Sequence, residues 1–229
     1  GSKTITRPVI MEAYPLEFVN ADGTIELGNQ DIKNSENINL DLKYEIFPSS
    51  KELFVVSAFS KFIQKPIERV FGFNAGSGGQ IITYDNSKKA MLFGAEFEFL
   101  FQLDRISKSL QDLSFGLNTT LMYSKVNINT VNSPETIAIG EKNPSRNLQG
   151  ASPWIINADL KYDFDFNKNW KNTMTIVYNV YGKRIYAVGT GGLDHYYELP
   201  FSKLDFVWNN KIGKNWDLKL SADNLLNPL

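Results

Sequence analysis

Hydrophobic and polar residues alternate strictly in the segment NINLDLKYEIF, residues 37–47. Side chains alternate sides along a β-strand, so the pattern predicts a strand with one apolar and one polar side. The apolar side carries Ile38, Leu40, Leu42, Tyr44 and Ile46. The polar side carries Asn37, Asn39, Asp41, Lys43 and Glu45. A soluble sandwich and a membrane barrel both contain such strands, so this segment alone leaves open what the apolar side contacts.

The same period of two recurs along the chain, whereas helical periodicity is almost absent. The extended segments are 2–8, 37–47, 53–63, 94–102, 114–124, 153–164, 172–182, 203–211 and 216–224. Segment 53–63 is apolar on both sides, which leaves its register open. Together the segments predict an all-β fold of about nine strands.

The connections between these strands alternate in length. Short polar links at 48–52, 104–112, 165–171 and 212–215 take turns with long ones at 9–36, 66–88, 127–152 and 187–197. The long connections are rich in Gly, Asn, Ser or Pro, which predicts loops. An antiparallel up-and-down meander with tight turns at one end and long loops at the other is typical of outer-membrane barrels.

Strand length and aromatic placement favour a barrel over a sandwich. Most segments have about 9–12 residues, close to a tilted membrane strand and longer than the usual soluble strand of about 5–6. Aromatic residues lie near the strand ends on the apolar side, as in an interfacial belt. They include Tyr44, Tyr123, Trp154, Tyr162, Phe164 and Trp208. These features predict part of a transmembrane β-barrel.

Charge and composition exclude several classes of function. The chain has 24 basic and 25 acidic residues and a net charge of -1, so no overall field would attract nucleic acid. It has no cysteine, which excludes disulfides and thiolate metal sites. The single histidine, His195, has no convergent set of catalytic partners in the sequence. We therefore expect no enzyme, no cofactor and no metal site.

Two glycine-containing segments have simple structural interpretations. NAGSGGQ, residues 74–80, lacks the Lys-Ser/Thr and the following helix of a phosphate-binding loop, which predicts a flexible loop tip. NADGT, residues 20–24, lacks the later glutamate of a calcium loop, which predicts a tight turn.

Several longer motifs occur in a fixed order along nearly the whole chain. They are SKTITRPVIMEAYPLEFVN, ELGNQDIKNSENINLDLKYEIF, SAFSKFIQKPIERV, NLQGASPWIINADLKYDF, YNVYGKRIYAVG and LDFVWNNKIGKNWDLKLSADNLLNP. In this order they resemble the C-terminal part of the β-barrel of TonB-dependent outer-membrane receptors of the Bacteroidetes type. The resemblance implies that the apolar side of 37–47 contacts lipid and that Asp41, Lys43 and Glu45 face the lumen.

The resemblance also implies an incomplete domain. Barrels of this family close with about 22 strands, so residues 1–229 would be a single partial domain that lacks the plug and the last strand. The implied function is energised uptake of a scarce nutrient across the outer membrane, with a siderophore, cobalamin, a glycan or a peptide as ligand. The implied partners are outer-membrane lipid and lipopolysaccharide, TonB through the missing plug, the nutrient, and as a further candidate a surface lipoprotein.

Candidate ligand contacts lie in the long connections, which the resemblance places on the extracellular side. Arginine binds anionic groups in a bidentate manner, and aromatic rings stack on sugars or siderophores. The candidates are Arg146, Arg184, Tyr186, His195, Tyr196 and Tyr197. Ion pairing and loop packing are the alternative roles. For the whole chain, the alternatives are a passive porin-like barrel and a soluble carbohydrate-binding or adhesion sandwich.

Overall fold

β-Strands dominate the computed structural model, which describes residues 1–21, 23–73, 80–127, 145–189 and 193–226. The strands are β1 (Ser2–Thr6), β2 (Glu17–Val19), β3 (Ile25–Leu27), β4 (Ser35–Ser49), β5 (Glu52–Gln64), β6 (Ile67–Phe73), β7 (Gln80–Asn86), β8 (Lys89–Gln102), β9 (Leu113–Asn127), β10 (Ser145–Arg146), β11 (Trp154–Asn167), β12 (Trp170–Tyr181), β13 (Arg184–Gly189), β14 (Tyr196–Glu198), β15 (Phe201–Ile212) and β16 (Trp216–Ala222). The helical elements are α1 (Ile10–Ala13) and the 3-10 turns Leu103–Arg105 and Lys108–Leu110. No helix in the described part of the chain is long and apolar enough to span a membrane.

The long strands form one antiparallel sheet in the order β1-β4-β5-β8-β9-β11-β12-β15-β16, with the short β10 paired to the end of β9. This arrangement confirms the predicted meander and its strand number. The strands share one sheet, whereas a sandwich would divide them between two packed sheets. Within the described residues, β1 and β16 have one neighbour each, so the sheet is open at both sides.

Cross-strand pairing aligns the alternation of neighbouring strands into two continuous faces. Tyr44 pairs with Val56 and Val56 with Phe97, whereas Val55 pairs with Glu98 on the opposite side. The pairing settles the register of 53–63. We call the first side the apolar face, and its exposed members include Ile38, Leu40, Leu42, Tyr44, Ile46, Val56, Phe62, Phe93, Phe97, Leu121, Tyr123, Leu160, Tyr162, Ile176, Leu218 and Leu220. A surface this large and apolar needs a non-aqueous or protein partner.

The opposite side, which we call the polar face, carries charged and amide side chains. A cavity of about 300 Å³ on this face is lined by Asp41, Lys43, Ser57, Glu96, Glu98 and Asn118, among others. Lys43 forms an ion pair with Glu45. Gly116 lies beneath the carboxylate of Asp159, where a Cβ would come within 2.2 Å of the Oδ1 atom. A Cβ at this position would displace the Asp159 carboxylate, so glycine allows the side chain to lie this close to the backbone.

Most of the long connections are not the loops that the sequence predicted. Residues 9–36, 66–88 and 187–197 contribute strands to a second sheet, in the order β14-β13-β6-β7-β3-β2, which we call the rim sheet. Its apolar core contains Phe71, Ile82 and Ala187, with Leu193 packed against them. The prediction failed because the pairings of β13 with β6 and of β3 with β7 are parallel and join separate connections.

The glycine-containing segment 20–24 joins β2 and β3 of the rim sheet. Asn20 and Thr24 close the predicted tight turn between β2 and β3, with the Asn20 amide 2.9 Å from the Thr24 carbonyl and Gly23 at a φ of +83°. Residue 22 lies outside the described residues. So do residues 74–79 of the predicted loop tip and residues 128–144 of the connection that follows β9.

Candidate functional site

A buried network joins the strands of the rim sheet. The Glu26 carboxylate on β3 is 1% exposed; it accepts a 2.6 Å hydrogen bond from the Tyr84 hydroxyl on β7 and lies 2.7 Å from the Arg69 guanidinium on β6. The same guanidinium stacks over the Tyr186 ring of β13 at 4.7 Å. Burial, helped by the hydrogen bond to Glu26, raises the pKa of Tyr84 to about 12. The network therefore ties together strands from three different connections.

A second buried ion pair fixes the end of the connection between β9 and β11. The side chains of Arg146 and Glu68 are 8% and 1% exposed, and two hydrogen bonds of 2.7 and 2.8 Å join them. Ser87 and the Gln149 backbone amide also donate to the Glu68 carboxylate. Arg146, a predicted ligand contact, is thus held against β6 by groups of the protein itself.

The other predicted contacts gather on β13, β14 and the residues just before β14. Arg184 donates a 2.7 Å hydrogen bond to Glu198 and lies over the Tyr181 ring at 4.5 Å. The hydrogen bond from Arg184 lowers the pKa of Glu198 below its ordinary value. Lys183 lies 3.9 Å above the Tyr197 ring. Cations and aromatic rings are therefore interleaved on this part of the rim.

His195 is part of the same group. The backbone amide of Gly189 donates a 3.1 Å hydrogen bond to its Nδ1 atom, so Nδ1 is the acceptor nitrogen of the ring. The next residue, Tyr196, packs edge-on against Phe71 of the rim core at 4.4 Å. These contacts hold the start of β14 against β13 and β6.

The structure brings all but one of the predicted contacts together. Arg184, Tyr186, His195, Tyr196 and Tyr197 form what we call the tyrosine cluster, and its three tyrosines remain between 37% and 49% exposed. Arg146 lies apart, in its pair with Glu68. A ligand contact at these six residues stays a prediction.

Sequence reasoning missed the buried network partners Glu26, Glu68, Arg69 and Tyr84. The alternation in ITYD, residues 82–85, was a usable signal, but the run is short and is embedded in a connection rich in turn-forming residues, and IERV, residues 67–70, has no alternation. Among the residues that the structure describes, no group of three or more acidic or histidine side chains could hold a metal ion.

An open antiparallel sheet with one apolar face, one polar face and a structured rim defines part of a membrane β-barrel. Residues 2–225 match the family described as TonB dependent receptor-like, beta-barrel. The chain belongs to this family, which places it in the outer membrane of a Gram-negative cell. No curated protein matches the chain.

Solved receptors share the fold. The ferric enterobactin receptor PfeA of Pseudomonas aeruginosa is 16% identical, with a TM-score of 0.54 over 99% of this chain and 32% of the receptor. The siderophore receptor PirA of the same organism is 14% identical, with a TM-score of 0.53 over 99% and 35%. The ferric yersiniabactin uptake receptor FyuA of Yersinia pestis is 13% identical, with a TM-score of 0.57 over 85% and 25%. The chain thus spans about a third of the length of the receptors PfeA and PirA.

Proposed function

We propose that these residues form part of a TonB-dependent receptor that takes up a scarce nutrient across the outer membrane. In this proposal the energy comes from TonB, which contacts a part of the receptor outside these 229 residues, and no reaction is catalysed. The order of the sequence motifs supports a source in Bacteroidetes. The observation that carries the proposal is an apolar face with an uncharged central band opposite a charged polar face, below a structured rim, in a chain of this family.

The apolar face has the dimensions of a membrane-spanning band. On β8 this face presents Met91, Phe93, Ala95, Phe97, Phe99 and Phe101, none of which is charged. With a rise of about 3.3 Å per residue and a tilt of about 40°, Met91 and Phe101 lie about 25 Å apart along the membrane normal, which matches the usual apolar band. The lipid of the outer membrane is therefore the proposed partner of this face, and the lumen the proposed surroundings of the polar face.

The rim sheet then lies on the extracellular side, because outer-membrane barrels have short periplasmic turns and long extracellular connections. The tyrosine cluster offers exposed rings next to cationic groups, which suits a planar or anionic ligand as well as a sugar. An iron chelate, cobalamin, a glycan and a peptide are the candidate nutrients. A surface lipoprotein that covers the rim, and lipopolysaccharide around it, are further proposed partners.

An uptake assay tests the proposal. The complete receptor is expressed in a Gram-negative host without its own siderophore receptors, and cells are offered ferric enterobactin with radioactive iron, then cobalamin, an oligosaccharide and a peptide. We expect accumulation of one of the four probes, and its loss when TonB is deleted or the proton gradient is collapsed. Accumulation that persists without TonB supports a passive porin-like barrel instead, and no accumulation of any probe contradicts the proposal.

Binding to the purified receptor tests the tyrosine cluster. Replacing Tyr197 or Tyr186 by alanine removes a stacking surface worth about 0.5–1.5 kcal/mol, so the dissociation constant of the accumulated nutrient should rise about 2- to 12-fold. The control is Tyr44→Ala, which removes a tyrosine that is more exposed than Tyr197 and Tyr186 and lies near the opposite end of the barrel. Equal affinities of the Tyr197, Tyr186 and Tyr44 variants would place the ligand elsewhere.

A further inference from the structure

A groove lies on the apolar face at the ends of β5, β8 and β9 that are nearest to the rim sheet. It has a volume of about 270 Å³, and its lining includes Phe62, Gln64, Lys89, Met91, Lys125 and Asn127. We call it the lysine groove. Its position at the border between the apolar band and the rim distinguishes it from the cavity on the polar face, which Asp41, Glu96 and Glu98 line.

The two lysines are neighbours on one face. Lys89 pairs with Asn127 and Met91 pairs with Lys125, so Lys89 and Lys125 occupy diagonal positions across β8 and β9. Diagonal positions in an antiparallel pair are about 7–8 Å apart, close enough for two long side chains to share one anion. Among the residues that the structure describes, neither lysine has an ion-pair partner, whereas Lys3 on the same face pairs with Glu36 at 3.0 Å.

The surface immediately below the lysines is apolar. Phe62 and Met91 form the lower part of the groove, and the Phe93 and Tyr123 rings, 5.1 Å apart, continue it towards the middle of the band. Lys89 lies two residues above Met91, about 5 Å higher along the membrane normal. Within the described residues, the site therefore has two positive charges without an ion-pair partner directly above an apolar surface.

We propose that the lysine groove binds a phosphorylated lipid of the outer leaflet, with a phosphate between Lys89 and Lys125 and an acyl chain along Phe62 and Met91. The proposal rests on the membrane orientation given under Proposed function. A lipid fits better than a protein partner, because the groove adjoins the lipid-facing band and combines one anion-binding point with one apolar channel. A phosphate held by lysine also needs no planar bidentate geometry.

Native mass spectrometry of the complete receptor in detergent measures this binding. The probes are diphosphorylated lipid A and the same lipid A after enzymatic removal of its phosphates. Each lysine near an anionic lipid surface contributes enough for about a fivefold change in affinity, so Lys89→Gln with Lys125→Gln should weaken binding of the phosphorylated probe about 30-fold. Replacing both lysines by arginine should retain binding, because the positive charge is kept, and the nutrient uptake of the glutamine variant shows that this variant is folded.

The chain offers a matched control pair. Lys211 and Lys219 occupy diagonal positions on β15 and β16 in the same way, and they line a cavity of about 290 Å³, but they lie on the polar face. Glutamine at both positions removes the same charge and should leave lipid binding unchanged. An equal loss in the control variant, or equal binding of the phosphate-free probe, would overturn the lysine groove as a lipid site.

Nutrient uptake separates this proposal from the proposed function. The glutamine variant at Lys89 and Lys125 should still accumulate the nutrient in a TonB-dependent manner. Uptake with unchanged lipid binding in that variant refutes the lysine groove alone. A co-purified protein that the variant loses, with lipid binding unchanged, would show that the groove contacts a protein instead.

Discussion

Phe97→Lys tests directly whether the apolar face meets lipid. Phe97 lies on the apolar face of β8, between Met91 and Phe101 and therefore near the middle of the proposed band. It is 42% exposed, so more than half of its surface already packs against its neighbours. The substitution places a charge on the exposed surface of the sheet. Its effect on the free energy of unfolding therefore depends on whether lipid or water surrounds that surface.

The expected cost separates a lipid from an aqueous environment. A lysine at the midplane of a membrane barrel costs about 2–4 kcal/mol. The lost packing of a phenylalanine ring that is a little over half buried adds about 1 kcal/mol. We therefore expect Phe97→Lys to lower the free energy of unfolding by about 3–5 kcal/mol in a bilayer. If the face were in water, only the packing loss of about 1 kcal/mol would remain.

Asn118→Lys is the matched control, because Asn118 lies on the adjacent strand at nearly the same height but on the polar face. It pairs with Glu98, so the new ammonium group gains an opposite charge and should change stability by less than about 1 kcal/mol. The assay is guanidinium unfolding of the complete barrel refolded into phospholipid vesicles. If Phe97→Lys costs no more than Asn118→Lys, the assignment of the apolar face to lipid is wrong.

The buried networks of the rim give two further predictions. Arg146→Gln leaves the buried Glu68 carboxylate without a cation, so we expect the free energy of local unfolding to fall by about 3–5 kcal/mol and proteolysis of the 127–152 connection to be faster. Replacing both Arg146 and Glu68 by leucine should restore most of the protease resistance. A double variant that is cleaved as fast as Arg146→Gln would contradict this reasoning. Tyr84 has a pKa of 10 in the unfolded chain and about 12 in the folded one, so its stabilising contribution is complete below pH 10 and is lost as the pH rises through about 12. The ultraviolet titration of tyrosinate should therefore show a late-ionising group in the wild type that Tyr84→Phe lacks, and identical titrations would contradict the buried network with Glu26.

The main sheet was predictable from sequence because most of its strands are long and carry a sustained alternation. The strand predicted at 37–47 is observed as Ser35–Ser49, and the one predicted at 53–63 as Glu52–Gln64. Each strand pairs with its neighbour in the meander, so local pattern and tertiary pairing agree. The sequence could not assign the two sides of 53–63 to the two faces of the sheet, because both sides are apolar. Pairing with the two neighbouring strands makes that assignment.

The rim sheet was not predictable by the same reasoning. Glu17–Val19 and Ile25–Leu27 have three residues each, too few to establish a period. Their stability depends on partners in other connections, such as the parallel pairing of Ile25–Leu27 with residues 81–83. The tyrosine cluster was found because its residues are close in sequence, whereas the partner of Arg146 lies 78 residues away at Glu68. No local pattern encodes a pairing over that distance.

The buried ion pairs of the rim sheet affect how the tyrosine cluster would bind the proposed nutrient. A buried ion pair adds little net stability, but breaking one is costly, so such pairs fix which strands lie together. Arg69 belongs to the Glu26 pair and also stacks on Tyr186 of the tyrosine cluster. A ligand that displaced the Tyr186 ring would expose one side of the Arg69 guanidinium while the pair held β6 in place. The cluster can therefore rearrange its exposed rings around a ligand without releasing the sheet that positions them, provided that Glu26 keeps its charge. Glu26→Gln should accordingly weaken nutrient binding although Glu26 is buried and does not contact the ligand, and binding at wild-type affinity in a folded Glu26→Gln receptor would refute this coupling.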